Sequence, residues 1–272
     1  MDNIKIGRQT VSVTSDGQYD VSGKTVYLPR LDYSDVEVFS PKDGAEILEW
    51  DMSSTFTDKI CKISVTNEDS FQAARRYVKP FVMNFANAHN PGGGFIVGAN
   101  AQEEALCRCS TLYASLSSGK AKKMYTFNNT HPSRVESDYM LLSPNVCVFR
   151  NEKCELSDEP FLAAVITIPA PDRHGAAMFA SKKMISDTML RRIRIMMRIA
   201  ARKGYKNLVL GAWGCGAFGN NPDDVSGYFK KVIIDEKYGM CFDEICFAVY
   251  GRTDSSNIKS FKNTFINCIS EK

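Results

Sequence analysis

The segment at residues 84–110 constrains the fold of this 272-residue chain more than any other. An apolar run at residues 81–83 precedes it and has the length of a buried strand. Three consecutive glycines follow, and a helical pattern begins near Gln102, so the order is strand, glycine-rich loop and helix. Adjacent glycines cost backbone entropy, but they let bare N–H groups come close to a ligand, and an anion is the usual one.

Two acids, Glu103 and Glu104, stand at the start of the predicted helix. The helix dipole favours acids at this position, and such a pair is often only solvated. A carboxyl group that faces a ligand can instead transfer protons. A neighbouring carboxylate raises its pKa by like-charge repulsion, which helps the group to hold a proton near neutral pH. The pair is therefore a candidate acid–base site.

A second glycine-rich loop spans residues 211–221. It follows a strand pattern at residues 207–210 and precedes a predicted helix that opens with Pro222 and two acids. Because α/β sheets bind ligands at the carboxyl ends of their strands, two such loops can converge on one ligand. The backbone N–H groups of this loop are suited to holding a diphosphate.

Predicted strands and helices alternate from residue 58 onwards, which indicates a sheet covered by helices on both faces. Residues 161–168 are nearly all apolar, as expected of a central strand. A long helix is predicted at residues 181–203, with a buried apolar face and a solvated basic face. A last helix is predicted at residues 255–269.

The first 57 residues are predicted to be rich in strands. Strand patterns at residues 10–13 and 25–28 flank a turn-prone segment, which favours a hairpin lying on the main domain. Residues 41–44 carry a turn signal. We therefore expect an accessory extension at residues 1–57 and one larger domain at residues 58–272.

Composition argues against a disordered chain and against a metal site built from cysteines. Hydrophobic residues make up 44% of the chain, enough for a sizeable core, and a net charge of +3 argues neither for nor against an anionic partner. The nine cysteines are irregularly spaced and form no metal-ligand pattern, which favours a reducing, intracellular compartment. We expect no secretory leader and no membrane span.

Triple glycine, a seven-residue spacer and Gln102-Glu103-Glu104 together resemble the signature of the poly(ADP-ribose) glycohydrolases, especially the microbial type. The resemblance implies an α/β fold: a macrodomain of three α/β/α layers with a mixed central sheet that binds ADP-ribose, plus a small strand-rich N-terminal extension. The catalytic domain would then be residues 58–272. The resemblance covers most of the chain and is strongest at residues 60–120 and 205–235.

The resemblance also implies roles for individual residues. Glu104 would be the general acid/base, and Glu103 would support it by contacting ribose hydroxyls. The substrate-binding residues it implies are Gln72, Asn87, Asn90, Gly92, Gly93, Gly94, Gln102, Gly214, Cys215, Gly216, Ala217 and Phe218, with Asn90 as the alternative to Asn87 for the asparagine that binds a ribose. Two of these have structural alternatives from the residues alone: a helix cap made by Asp69 explains the turn around Gln72, and Phe218 can be a core residue.

The reaction implied is hydrolysis of the ribose–ribose O-glycosidic bond of poly(ADP-ribose), with release of ADP-ribose and without cofactor or metal. The alternatives are hydrolysis of mono-ADP-ribosylated protein and non-catalytic binding of ADP-ribose. An unrelated nucleotide-binding domain is disfavoured because the chain lacks a GxxxxGK[ST] loop.

The expected partners are poly(ADP-ribose) or ADP-ribosylated protein, with no membrane and no requirement for DNA. We expect a monomer in the cytoplasm, or in the nucleus if the source is eukaryotic.

Overall fold

A computed structural model describes residues 2–268, and a seven-stranded mixed sheet forms its centre. The described residues form nine strands, of which the first two make a separate two-stranded sheet and the other seven make the central one: β1 (Gln18–Val21), β2 (Lys24–Tyr27), β3 (Glu37–Phe39), β4 (Lys62–Thr66), β5 (Phe81–Ala86), β6 (Met140–Arg150), β7 (Leu156–Pro169), β8 (Asn207–Leu210) and β9 (Glu244–Ala248). The α-helices are α1 (Asn3–Asp16), α2 (Pro41–Glu49), α3 (Ser70–Ala74), α4 (Gln102–Cys109), α5 (Leu112–Leu116), α6 (Lys122–Thr130), α7 (Lys182–Arg202), α8 (Pro222–Lys230) and α9 (Ser256–Phe265).

The main sheet has the strand order β3-β6-β7-β5-β8-β9-β4. The strands from β7 to β4 run parallel to their neighbours, whereas β3, β6 and β7 pair antiparallel. Because β5 and β8 are parallel neighbours, the two glycine-rich loops leave the sheet at the same edge. Both loops therefore lie on the same side of the molecule, and their convergence on one ligand stays a prediction.

Successive residues of the central strands face opposite layers of core. Phe81 and Met83 of β5 pack with α2, α7, α8 and α9, whereas Val82 packs with α3, α4, α5 and α6. Side chains on both faces are fully buried, which explains why β5 and the second half of β7 are apolar without alternation. The predicted three-layer α/β/α architecture is confirmed.

The predicted strand at residues 10–13 is wrong, because these residues lie in α1. Asp2 caps this helix by accepting a hydrogen bond from the Lys5 N–H at 3.0 Å, and Gly17 ends it. The face that carries Thr10 and Val13 is buried, so tertiary packing outweighs the strand preference of β-branched residues.

The N-terminal region does contain a hairpin, and its two strands are β1 and β2. Only β2 coincides with a predicted strand, the one at residues 25–28. The predicted turn at residues 41–44 is instead the start of α2, where Ser40 and Asp43 form a reciprocal capping box. β3 adds to the edge of the main sheet. The division of the chain at residue 57 stays a prediction.

The predicted last helix corresponds to α9, and Ile269 lies outside the described residues. Within residues 2–268, no helix is both long enough and apolar enough to cross a membrane.

The basic face of α7 is less solvated than predicted. Arg192 is fully buried, and its guanidinium donates to the Asp138 carboxylate at 2.9 Å, to the carbonyl of Pro169 at 2.9 Å and to two carbonyls at residues 135–136. Burial opposes the charge of Asp138, but Arg191 and Arg192 hold its pKa below the ordinary value. This cluster ties α7 to the end of β7.

We expect the substitution Asp138→Asn to lower the free energy of unfolding by about 3 kcal/mol, because it leaves the buried Arg192 charge uncompensated. Urea unfolding followed by circular dichroism measures this change. The matched control is Asp254→Asn, which breaks an exposed pair with Arg252 and is expected to cost under about 1 kcal/mol. Equal effects of the two substitutions would contradict a structural role for the buried cluster.

Candidate active site

A cleft of about 790 Å³ opens at the carboxyl ends of β5 and β8. The first turn of α4 lines it, together with the loop after β8. The predicted site residues that line the cleft are Asn87, Gln102, Glu103, Glu104, Gly214, Gly216, Ala217 and Phe218. Those that lie outside its lining are Gln72, Asn90, Gly92, Gly93, Gly94 and Cys215. The structure therefore brings both predicted catalytic acids into one cavity with the second glycine loop.

Gln102 binds the backbone of β5 and the start of α3. Its Oε1 accepts a hydrogen bond from the Phe85 N–H at 2.9 Å, and its Nε2 donates to the Met83 carbonyl at 2.8 Å and to the Ser70 hydroxyl at 3.1 Å. Because these bonds occupy the amide, Gln102 fixes where α4 begins relative to β5. It positions the two glutamates that follow.

Glu103 is 3% exposed and is held on both oxygens. Oε1 accepts from the Asn84 amide at 3.1 Å, and Oε2 accepts from the Asn87 N–H at 2.7 Å. Burial raises the pKa of Glu103 to about 8, against the effect of these two hydrogen bonds, and the charge of Glu104 raises it further. Glu103 therefore holds a proton at neutral pH.

Glu104 is 8% exposed and is fixed by the loop that precedes it. Oε1 accepts from the Gly94 N–H at 2.9 Å, and Oε2 accepts from the Ala101 N–H at 3.0 Å. Each carboxyl oxygen keeps a second lone pair, so these bonds leave room for proton transfer. The carboxyl group is thus oriented before any ligand arrives.

Gly93 allows the loop to pack directly on the two acids. Its φ is +57°, and a Cβ at this position would lie 2.4 Å from Glu104 Oε1 and 3.2 Å from Glu103 Oε2. No larger residue fits without displacing a carboxyl group. This glycine is required by the carboxyl groups themselves, whereas the sequence pattern suggested a close approach of bare N–H groups to a ligand.

The second glycine loop presents unused donors. The N–H groups of Gly216, Ala217 and Phe218 donate to no acceptor within the described part of the chain, and Gly216 and Ala217 are exposed. The loop is held from behind, because Asn220 donates its N–H and its amide to the Gly214 carbonyl. Three successive free N–H groups beside a cleft are suited to an anion, and this loop is a candidate site for one.

Phe218 and Cys215 differ in where they lie within this loop. Phe218 lines the cleft and also packs against the larger core cluster, so both sequence interpretations describe part of its environment. The thiol of Cys215 turns towards the Trp213 carbonyl, and burial raises the pKa of this thiol to about 12.

Three polar residues in the lining of the cleft or directly behind it were not assigned to the site from the sequence. Asp69 lines it and caps α3 by accepting from the N–H groups of Phe71 and Gln72, whereas Gln72 itself is exposed. Asn84 donates a hydrogen bond to Glu103. It could have been found in the sequence, because it is a polar residue within an otherwise apolar strand. Arg108 is buried in the wall, and no pattern in the sequence distinguishes it from a surface residue of α4.

The proton on Glu103 makes stability depend on pH. The unfolded chain loses this proton above about pH 4.3, while the folded protein keeps it up to about pH 8. The free energy of unfolding therefore falls as the pH rises through this window, by up to about 1.4 kcal/mol per pH unit. Urea unfolding between these values measures it, and Glu103→Gln should flatten the dependence. A variant with the same slope as the parent protein would contradict this assignment.

Among residues 2–268, no group of three or more histidine, cysteine, aspartate or glutamate side chains is placed to hold a metal ion.

Comparison with known proteins places this cleft in a family. A family model described as the catalytic domain of microbial-type PARG matches residues 7–151, more than half of the chain. The solved structure of poly(ADP-ribose) glycohydrolase from Thermomonospora curvata is similar at 32% identity and a TM-score of 0.87, covering 97% of this chain and 99% of that one. The same enzyme has been solved bound to the inhibitor ADP-HPD.

A second relative comes from another bacterium. Poly(ADP-ribose) glycohydrolase from Deinococcus radiodurans, solved in complex with ADP-ribose, is 31% identical with a TM-score of 0.80, covering 89% of this chain and 100% of that one. A search of curated proteins found no match. The family model and the structures agree, and the chain belongs to the microbial-type poly(ADP-ribose) glycohydrolases.

Proposed function

We propose that the protein hydrolyses the ribose–ribose O-glycosidic bonds of poly(ADP-ribose) and releases ADP-ribose, with Glu104 as general acid/base. The observation that carries the proposal is a preoriented carboxyl group in the same cleft as a row of free backbone N–H groups. Structures of the family with ADP-ribose and with ADP-HPD support a ligand of this class.

The diphosphate of the substrate is assigned to the second glycine loop. Gly216, Ala217 and Phe218 offer three N–H donors there, and the ring of Phe218 is available to pack against the adenosine end or the proximal ribose. Backbone donors suit an oxyanion because their direction is fixed by the loop, so no side-chain entropy is lost on binding.

The ribose next to the scissile bond is assigned to Asn87 and Glu103. The Asn87 side-chain oxygen accepts from the N–H groups of His89 and Asn90, which leaves its amide N–H₂ free to donate to a hydroxyl. The buried Glu103 carries a proton at neutral pH, which removes one negative charge from the neighbourhood of an anionic substrate.

The chemical step uses one carboxyl group twice. Glu104 donates its proton to the leaving ribose oxygen as the bond from the anomeric carbon to that oxygen breaks, through an oxocarbenium-like state. A water molecule then adds to the anomeric carbon and returns its proton to Glu104. The diphosphate, held close by, stabilises the positive charge that develops on the sugar.

Two observations favour hydrolysis over simple binding. A reader of ADP-ribose has no need of two adjacent acids beside an anionic ligand. Moreover, the loop is built around these acids, since Gly93 has no room for a side chain.

The substrate is tested by comparing a poly(ADP-ribosyl)ated protein with a singly ADP-ribosylated one and identifying the product by chromatography. Free ADP-ribose released from polymer, with the last protein-linked unit left in place, supports the proposal. Release from the singly modified protein alone would favour a mono-ADP-ribosyl hydrolase. Binding of ADP-ribose without any product over hours would favour a reader.

We also propose that the enzyme acts in a reducing, intracellular compartment. All nine cysteines are free thiols, which is typical of a reducing, intracellular compartment. We further propose that the enzyme acts as a monomer and that residues 1–57 form an accessory region.

A further inference from the structure

Two cysteines meet in the wall of the cleft, away from the groups assigned to catalysis. Cys109 is the last residue of α4, and Cys154 lies in the turn between β6 and β7. Their sulfur atoms are 3.8 Å apart, and both residues line the cleft. This is the one thiol–thiol contact within residues 2–268.

We infer that Cys109 and Cys154 form a peroxide-sensitive thiol pair, and that their oxidation to a disulfide slows turnover in the adjacent active site. A disulfide requires the two sulfurs to approach by about 2 Å. The contact is already formed in the reduced fold, so local adjustment of two side chains and one turn can close this gap.

The surroundings of the pair distinguish the two thiols. Cys154 is partly exposed to the cleft, whereas Cys109 is 8% exposed. The Cys109 and Cys154 sulfurs lie within hydrogen-bonding distance, and the charges of Arg108 and Arg150 lie nearby, so the pKa of Cys154 is lowered despite burial. Cys154 is therefore the thiolate that meets an oxidant, because reactivity follows thiolate character and access.

The turn that carries Cys154 is preformed. Asn151 accepts the N–H groups of Lys153 and Glu155 on its side chain, and Cys154 adopts a φ of +60°. Arg150 donates to the Cys154 carbonyl at 2.8 Å and ties the turn to α1 through Gln9. The sulfur is thus held at the cleft by the backbone of the turn.

The chemistry balances with hydrogen peroxide as the oxidant. The Cys154 thiolate attacks one peroxide oxygen, the O–O bond breaks, and Cys154 sulfenic acid and hydroxide form. The Cys109 sulfur then attacks the Cys154 sulfur, the S–O bond breaks and a second hydroxide leaves, taking up the thiol proton as water. In sum, two thiols and one peroxide give one disulfide and two water molecules.

The consequence for turnover follows from α4, because this helix carries both Cys109 and the two acids of the site. Glu104 lies in the first turn of α4 and Cys109 at its end, about 7 Å along the axis. Pulling the end of this short helix towards the turn shifts Glu104, and misplacement of about 1 Å can reduce a rate by about 100-fold.

To test this inference, the full chain is treated with hydrogen peroxide, the remaining thiols are alkylated, and the protein is digested with trypsin. Cleavage after Arg108 and Lys153 separates Cys109 from Cys107 and leaves each of the two cysteines as the only one in its peptide, at residues 109–120 and 154–173. Mass spectrometry should find these two peptides linked. Release of ADP-ribose should fall by about tenfold or more and recover with dithiothreitol.

Two variants sharpen the test. Cys109→Ser should give no linked peptides, and peroxide should cause no loss of ADP-ribose release that dithiothreitol reverses. Cys61→Ser changes a thiol remote from the cleft and should behave as the parent chain. The inference is overturned if peroxide leaves residues 109–120 and 154–173 unlinked, or if the linked protein turns over as fast as the reduced one. If the reduced protein releases no ADP-ribose, the proposed function fails. The thiol pair is then tested by peptide linkage and by ADP-ribose affinity, measured by calorimetry before and after oxidation.

Discussion

Replacing Glu104 with glutamine is expected to reduce the release of ADP-ribose from a poly(ADP-ribosyl)ated protein by about 10²- to 10⁴-fold. The amide keeps the shape of the carboxyl group and can still accept the Gly94 N–H, but it has no proton to donate to a leaving hydroxyl and cannot activate water. Turnover measured by chromatography of the product tests this expectation. Affinity for ADP-ribose, measured by calorimetry, should change by no more than about threefold, because the binding groups lie elsewhere.

The matched control is Glu46→Gln, which makes the same change at an exposed residue that pairs with Lys42. It should leave both turnover and affinity unaltered. Undiminished turnover in Glu104→Gln would remove Glu104 from the mechanism. A loss of binding equal to the loss of turnover would instead make it a substrate-holding residue.

The second large effect is expected at Gly93. In Gly93→Ala the new Cβ overlaps Glu104 Oε1, and the residue must adopt a φ of +57°, which costs about 1–2 kcal/mol for an L-amino acid. We expect the free energy of unfolding to fall by about 1–3 kcal/mol and turnover to fall by about 100-fold, because Glu104 is pushed from its position. Urea unfolding and product release measure the two effects separately.

Gly119→Ala is the control for this change. Nothing lies within 4 Å of a Cβ at Gly119, so the same substitution there should be silent in both measurements. A Gly93→Ala protein that unfolds more easily but turns over at the parent rate would show that the loop can move without displacing Glu104. That result would contradict the close packing described for this loop.

The layers of the fold and the position of the cleft could be predicted from short patterns. Apolar runs followed by glycines and helix-start signals identify β5, β8 and the loops after them, and parallel pairing then places both loops at one edge. The acids of the motif were assigned because the glycines, the spacer and the acids together resemble a family signature. These features depend on local order along the chain, which a single sequence contains.

The remaining features depend on contacts that are distant in sequence. Thr10 and its β-branched neighbours favour a strand, but the Thr10 hydroxyl donates to the Arg108 carbonyl and the segment packs as a helix against α4. Arg192 resembles the other cations of α7, yet it is enclosed by the segment around Asp138. A raised pKa was expected within the acid pair, and burial, which depends on the whole fold, raises the pKa of Glu103.

The way in which the cleft holds anions affects its response to ionic strength. Among the described residues that line it, Arg108 is the only cation, and Asp69, Glu103, Glu104 and Glu152 are acids. Attraction of a polyanion through displaced counterions therefore contributes little, and fixed backbone dipoles must select the ligand by shape. Affinity for ADP-ribose should vary only weakly in a salt titration, and nucleic acids, which bind through dense positive charge, should compete poorly.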